Sequence, residues 1–178
     1  MDRFEPSDEL LAWLYMQQGV DAVRVAMGER VEAVAGCSLL EHEALYRIDM
    51  AGRLPMSELS ELLAVSPSGT TRLVERLVRR GWVERSQPPD NRRVVFALLT
   101  DAGREVLRAT TAPTYRAAVA EEFAGTLSGR DIADLKRIGQ KLLQAHGKWD
   151  ARRFAPRGSA PGDLVGGEDG LSGEAGRA

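Results

Sequence analysis

One cysteine and two histidines are the only thiol and imidazole groups in this 178-residue sequence. Cys37, His42 and His146 cannot supply a disulfide framework or a Cys/His zinc set, so neither a metal nor another cofactor is expected. Aromatic residues are scarce, at 6%. No apolar run approaches the roughly 18 residues of a membrane span. The opening MDRFEPSDELL lacks the basic start and apolar stretch of a secretory signal. A cytoplasmic location with no membrane partner is the resulting expectation. Also missing are a glycine-rich phosphate loop, a His-Glu-x-x-His pair and a nucleophile set beside a base, so an enzyme is not expected.

What is present fits one soluble domain, with 43% hydrophobic and 28% charged residues. The formal charge of −2 is unevenly spread. From Ser66 to Arg93 there are seven arginines (Arg72, Arg76, Arg79, Arg80, Arg85, Arg92, Arg93) against Glu75, Glu84 and Asp90, leaving that stretch at +4 and the remainder at −6. A mildly acidic chain thus carries one concentrated basic segment, the electrostatic footprint of a nucleic-acid binder. At the other extreme, Ala155–Ala178 holds seven glycines and two prolines with only Leu164, Val165 and Leu171 as large apolar residues, and reads as a disordered tail behind a single domain over 1–154.

Apolar residues from Leu10 to Val34 recur at spacings near three and four, which predicts a long helix over about 7–34. Ser38 is placed to cap a second helix carrying Leu45 and Ile48 and ending before Gly52. Gly52–Pro55 reads as a loop, after which Ser57 is placed to cap a short third helix with Leu59, Leu62 and Leu63. Ser66-Pro67 is a strong start signal for the fourth, because serine can accept from orphan amides and proline at the first turn loses no hydrogen bond. Gly81 ends it. In between, Thr70, Leu73, Val74 and Leu77 share the inward side, and Ser68, Thr71, Arg72, Glu75, Arg76 and Arg79 face outward.

Beyond Gly81 the period changes. Segments 82–85 and 94–99 read as two short strands joined by the turn-rich QPPDNRR, a hairpin with arginines at its tip. Thr100 caps a further helix reaching about Phe123, with a break or kink at Pro113. Ser128 and Asp131, in capping-box spacing, open a last helix over about 128–149 with Ile132, Leu135, Ile138, Leu142 and Leu143 as its stripe. The expected fold is mainly α with a small β-hairpin wing: a winged helix-turn-helix over about 38–100, flanked by long N- and C-terminal helices. A helix of this kind fits a major groove, and an arginine-tipped hairpin can reach a neighbouring groove or its phosphates.

Leu45-Tyr46-Arg47, Met56-Ser57-Glu58-Leu59, SPSGTTRLVERLVRRG and DNRRVVFALLTDAG together resemble the MarR family of bacterial transcriptional regulators, across most of the chain up to about Trp149. In that family the wing begins with Asp-x-Arg, then five residues, then Leu-Thr. Counting back from Leu99-Thr100 puts Arg93 in the arginine place and Asn91 in the aspartate place, a departure that leaves Arg92 and Arg93 both open as the groove reader. The resemblance implies a homodimeric repressor binding double-stranded DNA with an inverted repeat, contacted by Ser66, Ser68, Thr71, Arg72, Arg76, Arg92 and Arg93. A 28-residue first helix would span about 40 Å, more than one small domain covers, which agrees with a dimer helix. The resemblance also implies release by a small aromatic or phenolic ligand, and Trp13, Met16, Tyr46, Arg47 and Met50 lie on the helices that would receive it. For Trp13 and Met50 ordinary core packing is the competing expectation. The alternatives are a ligand-independent architectural DNA-binding protein and an oxidant sensor using Cys37. His42, flanked by Glu41 and Glu43, reads as a surface or interface residue.

Overall fold

Ser7 begins the first helix by accepting from the Leu10 amide, and Gly36 ends it in the left-handed region (φ 62°). We describe a computed structural model of the chain, covering residues 6–89 and 93–149. The tail at 155–178 and the wing residues Asp90, Asn91 and Arg92 lie outside the described residues. By internal contacts the chain divides into two units, Met1–Ile132 and Ala133–Ala178.

The first unit runs α1 (Asp8–Ala35), α2 (Leu39–Ala51), β1 (Arg53–Pro55), α3 (Met56–Leu63), α4 (Pro67–Arg79), β2 (Val83–Ser86), β3 (Phe96–Leu99), α5 (Asp101–Val106) and α6 (Ala112–Ala118). α7 (Gly129–Ala145) follows, beginning at the end of the first unit and continuing into the second. The fold class is as expected, mostly helical with a small antiparallel sheet. No helix among the described residues is long and apolar enough to cross a membrane.

Three details correct the sequence reading. Residues 53–55 are not loop but β1, which pairs with β3 through Leu54↔Ala97, so the wing is a three-stranded sheet in the order β1-β3-β2. Ser57 does not cap α3, which starts a residue earlier behind Pro55 with no side-chain cap; the Met56 amide donates instead to the Val95 carbonyl, 3.0 Å away. The segment after Thr100 is not one α-helix with a kink at Pro113. A π-helical turn at Leu107–Thr111 precedes the proline, and the Ala112 amide reaches back to Leu107. Proline has no N–H to give the ladder and crowds the preceding turn, and a local change of helix type absorbs that misfit.

The main core is built by Leu45 and Ile48 of α2, Leu54 of β1, Leu59 of α3, and Leu73, Val74 and Leu77 of α4, closed by Val83, Ala97 and Leu99 from the sheet. It therefore fixes α4 and the wing on one scaffold. A second cluster joins Met27 and Val31 of α1 to Cys37, Leu39 and Ala118. Nearby, Arg30 of α1 donates to Glu121 at 2.9 Å.

His42 is not at the surface. It is 2% exposed, its ring lies 4.6 Å from that of Tyr115 and 6.5 Å from that of Tyr46, and its Nδ1 has no hydrogen-bond partner among the described residues. Burial holds its pKa down at about 4. The unfolded chain takes up a proton near pH 6.5, whereas the folded chain resists until about pH 4. The contribution of this residue to stability is thus complete above pH 6.5 and is lost as pH falls through that window, by about 3 kcal/mol in total. Denaturant titrations at pH 7 and pH 4.5 should show wild type losing more stability than His42→Phe, which keeps the stacked ring without the titration; equal losses would contradict it.

Candidate nucleic-acid interface

α4 stands out because its ends are fixed locally and its sides are sharply divided. The Ser66 hydroxyl accepts from the Gly69 amide at 3.2 Å and lies 3.2 Å from the Ser68 hydroxyl. Thr70, Leu73, Val74 and Leu77 are buried, as the period requires. Ser68, Thr71, Arg72, Glu75, Arg76 and Arg79 are exposed, as the period requires of the outward side. Positions 68, 72 and 79 stack along one outward line, one or two turns apart. α3 and α4 are joined by a short turn in which Ala64 takes a left-handed conformation (φ 52°), the corner of a helix-turn-helix.

The wing lies against this helix. Arg85 of β2 donates to the Thr71 carbonyl at 3.2 Å and sits 3.8 Å from Glu75. Pro55, Met56, Ser57, Thr71, Arg85, Arg93, Val94 and Val95 line a cleft of about 290 Å³ between the start of α3, the side of α4 and the hairpin. Two arginines and two hydroxyl-bearing side chains therefore meet where helix and wing converge. Arg85 was counted in the basic segment but not among the expected contact residues, because an arginine in a strand carries no signal of which element it will face.

The expected contact residues do not all occupy equivalent places. Thr71 donates its hydroxyl to the Pro67 carbonyl at 3.0 Å, leaving its methyl and the remaining lone pairs outward. Arg93 is exposed beside the cleft, and Arg92 lies outside the described residues. Arg76 turns to one side, where its Nε donates to Glu41 at 3.2 Å.

Of the residues on the helices expected to receive a ligand, Trp13, Tyr46 and Met16 are exposed, Trp13 most of all at 54%. Arg47 and Met50 of α2 are half-buried. Core packing does not account for Trp13. Cys37 is buried, and burial pushes its thiol up to about 11, with Glu41 adding to the rise against the opposing pull of Arg80. A thiol in that state is a poor nucleophile. Ellman's reagent should label Cys37 in the native protein far more slowly than in denaturant; equal rates would contradict the burial.

A helix-turn-helix whose exposed second helix is flanked by an arginine-bearing β-wing defines a winged helix-turn-helix protein. Residues 37–95 match the model of the MarR family. Transcriptional repressor MprA of Escherichia coli K12 is 34% identical over 87 residues, which are 49% of this chain and 48% of that protein. The chain thus spans about half the length of the curated relatives it matches first. Among solved structures, Sco3205, a MarR family transcriptional regulator from Streptomyces coelicolor determined in complex with DNA, is 28% identical with a TM-score of 0.70, covering 82% of this chain and 91% of that one. AbsC, from the same organism, shares the fold at 23% identity and a TM-score of 0.72, over 83% of this chain and 100% of that one. The segment 37–95, which holds the helix-turn-helix and much of the wing, thus resembles the MarR family, and the whole fold is similar to solved MarR-family regulators.

Proposed function

We propose that this protein is a transcriptional repressor that binds double-stranded DNA as a homodimer. The observation that carries the reading is the convergence of Thr71, Arg85 and Arg93 on one cleft beside the exposed line Ser68–Arg72–Arg79. α4 enters the major groove by its N-terminal half, with Ser66, Ser68, Thr71 and Arg72 toward bases and phosphates, while Arg92 or Arg93 follows the wing to the adjacent groove. The complex of Sco3205 with DNA supports the same use of the fold.

Dimerisation is supported by apolar residues that one chain leaves uncovered. Trp13 and Val20 of α1 are more than half exposed, and Ile132, Leu135, Ile138 and Leu142 along α7 are 38–45% exposed. A two-fold dimer presents two recognition helices and so reads an inverted repeat with half-sites about one helical turn apart. Release by a small aromatic acid, with Arg47 holding the carboxylate among Trp13, Met16, Tyr46 and Met50, is the ligand arm of the proposal.

Selection of duplexes from a random-sequence library tests the reading. The expected product is an enriched inverted repeat whose affinity falls by about a thousandfold or more between about 50 and 200 mM salt. Salt-sensitive binding with no enriched sequence would favour an architectural protein, and no binding would refute the proposal. Adding phenolic acids to the selected complex tests the ligand arm, which fails if none displaces the duplex.

A further inference from the structure

Arg76 and Arg80, one helical turn apart, lie at the edge of α4 nearest the corner where α1 gives way to α2. Both reach into that corner. The Arg80 guanidinium donates to the Gly36 carbonyl at 2.9 Å and lies 4.6 Å above the Trp82 ring. That carbonyl belongs to the residue closing α1. Arg76 Nε donates to Oε1 of Glu41, whose side chain is only 6% exposed. The other carboxylate oxygen, Oε2, accepts from the Ser38 amide at 3.0 Å, completing the capping box that starts α2.

Glu41 therefore joins two elements through one carboxylate. Burial on its own would raise its pKa, but the Ser38 amide and the two arginines outweigh burial and hold it below the usual range. A buried carboxylate left without its cation is costly, so the pair holds Arg76 in place. The Arg76 side chain is still 44% exposed, but its Nε is held toward Glu41.

We propose that Glu41 is a positioning residue for recognition: it holds Arg76 as a strut that, with Arg80, sets the pose of α4 against the α1–α2 corner. This rests on the reading of α4 as the recognition helix. It reassigns Arg76 from the groove to the scaffold.

The decisive variant is Glu41→Gln. Glutamine serves the capping box as well as glutamate does, so the start of α2 is retained and only the ion pair is lost. The two readings of Arg76 predict opposite signs. If Arg76 contacts the duplex, removing the competing carboxylate frees it and binding stays equal or tightens. If Glu41 positions the helix, binding to the selected duplex weakens by about tenfold. Arg76→Gln weakens it similarly and leaves the slope of affinity against salt unchanged, whereas loss of a phosphate contact lowers that slope by about one unit. The double variant is no worse than either single one.

Amide exchange along α4, read without nucleic acid, is expected to quicken in Glu41→Gln while the α2 amides stay at wild-type rates. Unchanged exchange in α4, undiminished affinity in Glu41→Gln, or a reduced salt slope in Arg76→Gln would each overturn the proposal. If the wild-type protein selects no duplex, the nucleic-acid reading fails, and with it the role of Glu41 in recognition; quickened exchange would then show the strut alone.

Discussion

The double variant Arg72→Ala/Arg93→Ala binds the selected duplex at least about thirtyfold more weakly than wild type and keeps its thermal stability. Arg72 is exposed on the outward side of α4, and Arg93 is exposed beside the cleft where the wing meets that helix. Each is worth about 1–3 kcal/mol if it contacts DNA, and 1.4 kcal/mol is tenfold in affinity. The losses are expected to add, since the two residues sit on separate elements. Neither side chain is in the core, so alanine leaves folding within about 0.5 kcal/mol. The single variants separate two kinds of contact: a base reader loses sequence preference, whereas a phosphate contact weakens every sequence alike and lowers the salt slope. Wild-type affinity in the double variant, measured by anisotropy of a labelled duplex, would refute the site.

Gly103→Ala lowers the melting temperature by roughly 10 °C, corresponding to about 3 kcal/mol. A Cβ at this position would lie 2.0 Å from the Trp82 carbonyl oxygen. That oxygen is fixed, since it already accepts from the Thr100 amide at 3.1 Å, and Thr100 in turn caps α5 by accepting from the Gly103 amide at 3.0 Å. Backbone therefore meets backbone where the strand enters the wing, and no side-chain rotation relieves the clash. The contrast is Gly28→Ala in α1, whose Cβ would meet Leu39 at 3.9 Å, an ordinary contact. There alanine is expected to stabilise by up to about 1 kcal/mol through helix propensity. Thermal melts of the two variants should move in opposite directions. An unchanged melting temperature for Gly103→Ala would contradict the close approach of α5 to the wing.

How much of this was legible in the sequence depended on the range of the interaction. The start of α4 was readable because Ser66, Pro67 and Gly69 act within one turn, and its buried side because Thr70, Leu73, Val74 and Leu77 follow the helical period. The Ser128–Asp131 cap was readable for the same reason, with Asp131 accepting from the Ser128 amide at 2.9 Å. β1 was not. It has a proline, a single buried side chain and a partner strand far along the chain, so Arg53-Leu54-Pro55 carries no period of its own. His42 was misplaced because its sequence neighbours are charged, while its burial comes from Tyr115, which only the fold brings near.

The candidate site divided along the same line. Arg72 was legible as an outward cation, whereas the commitment of Arg76 to Glu41 is a tertiary fact. The spacing of Ser38 and Glu41 could have flagged the carboxylate as part of a capping box. Nothing local showed that it would also meet α4. The place of Arg85 was likewise hidden until β2 was seen to lie against Thr71.

The most direct test of the central claim is amide hydrogen exchange of the wild-type protein with and without the selected duplex. The account predicts slowed exchange at 66–72, at 83–89 and at 93–99, which are the start of α4 and the two sides of the wing. Protection confined to α1 or α7, or none in α4 and the wing while the duplex is bound, would contradict it.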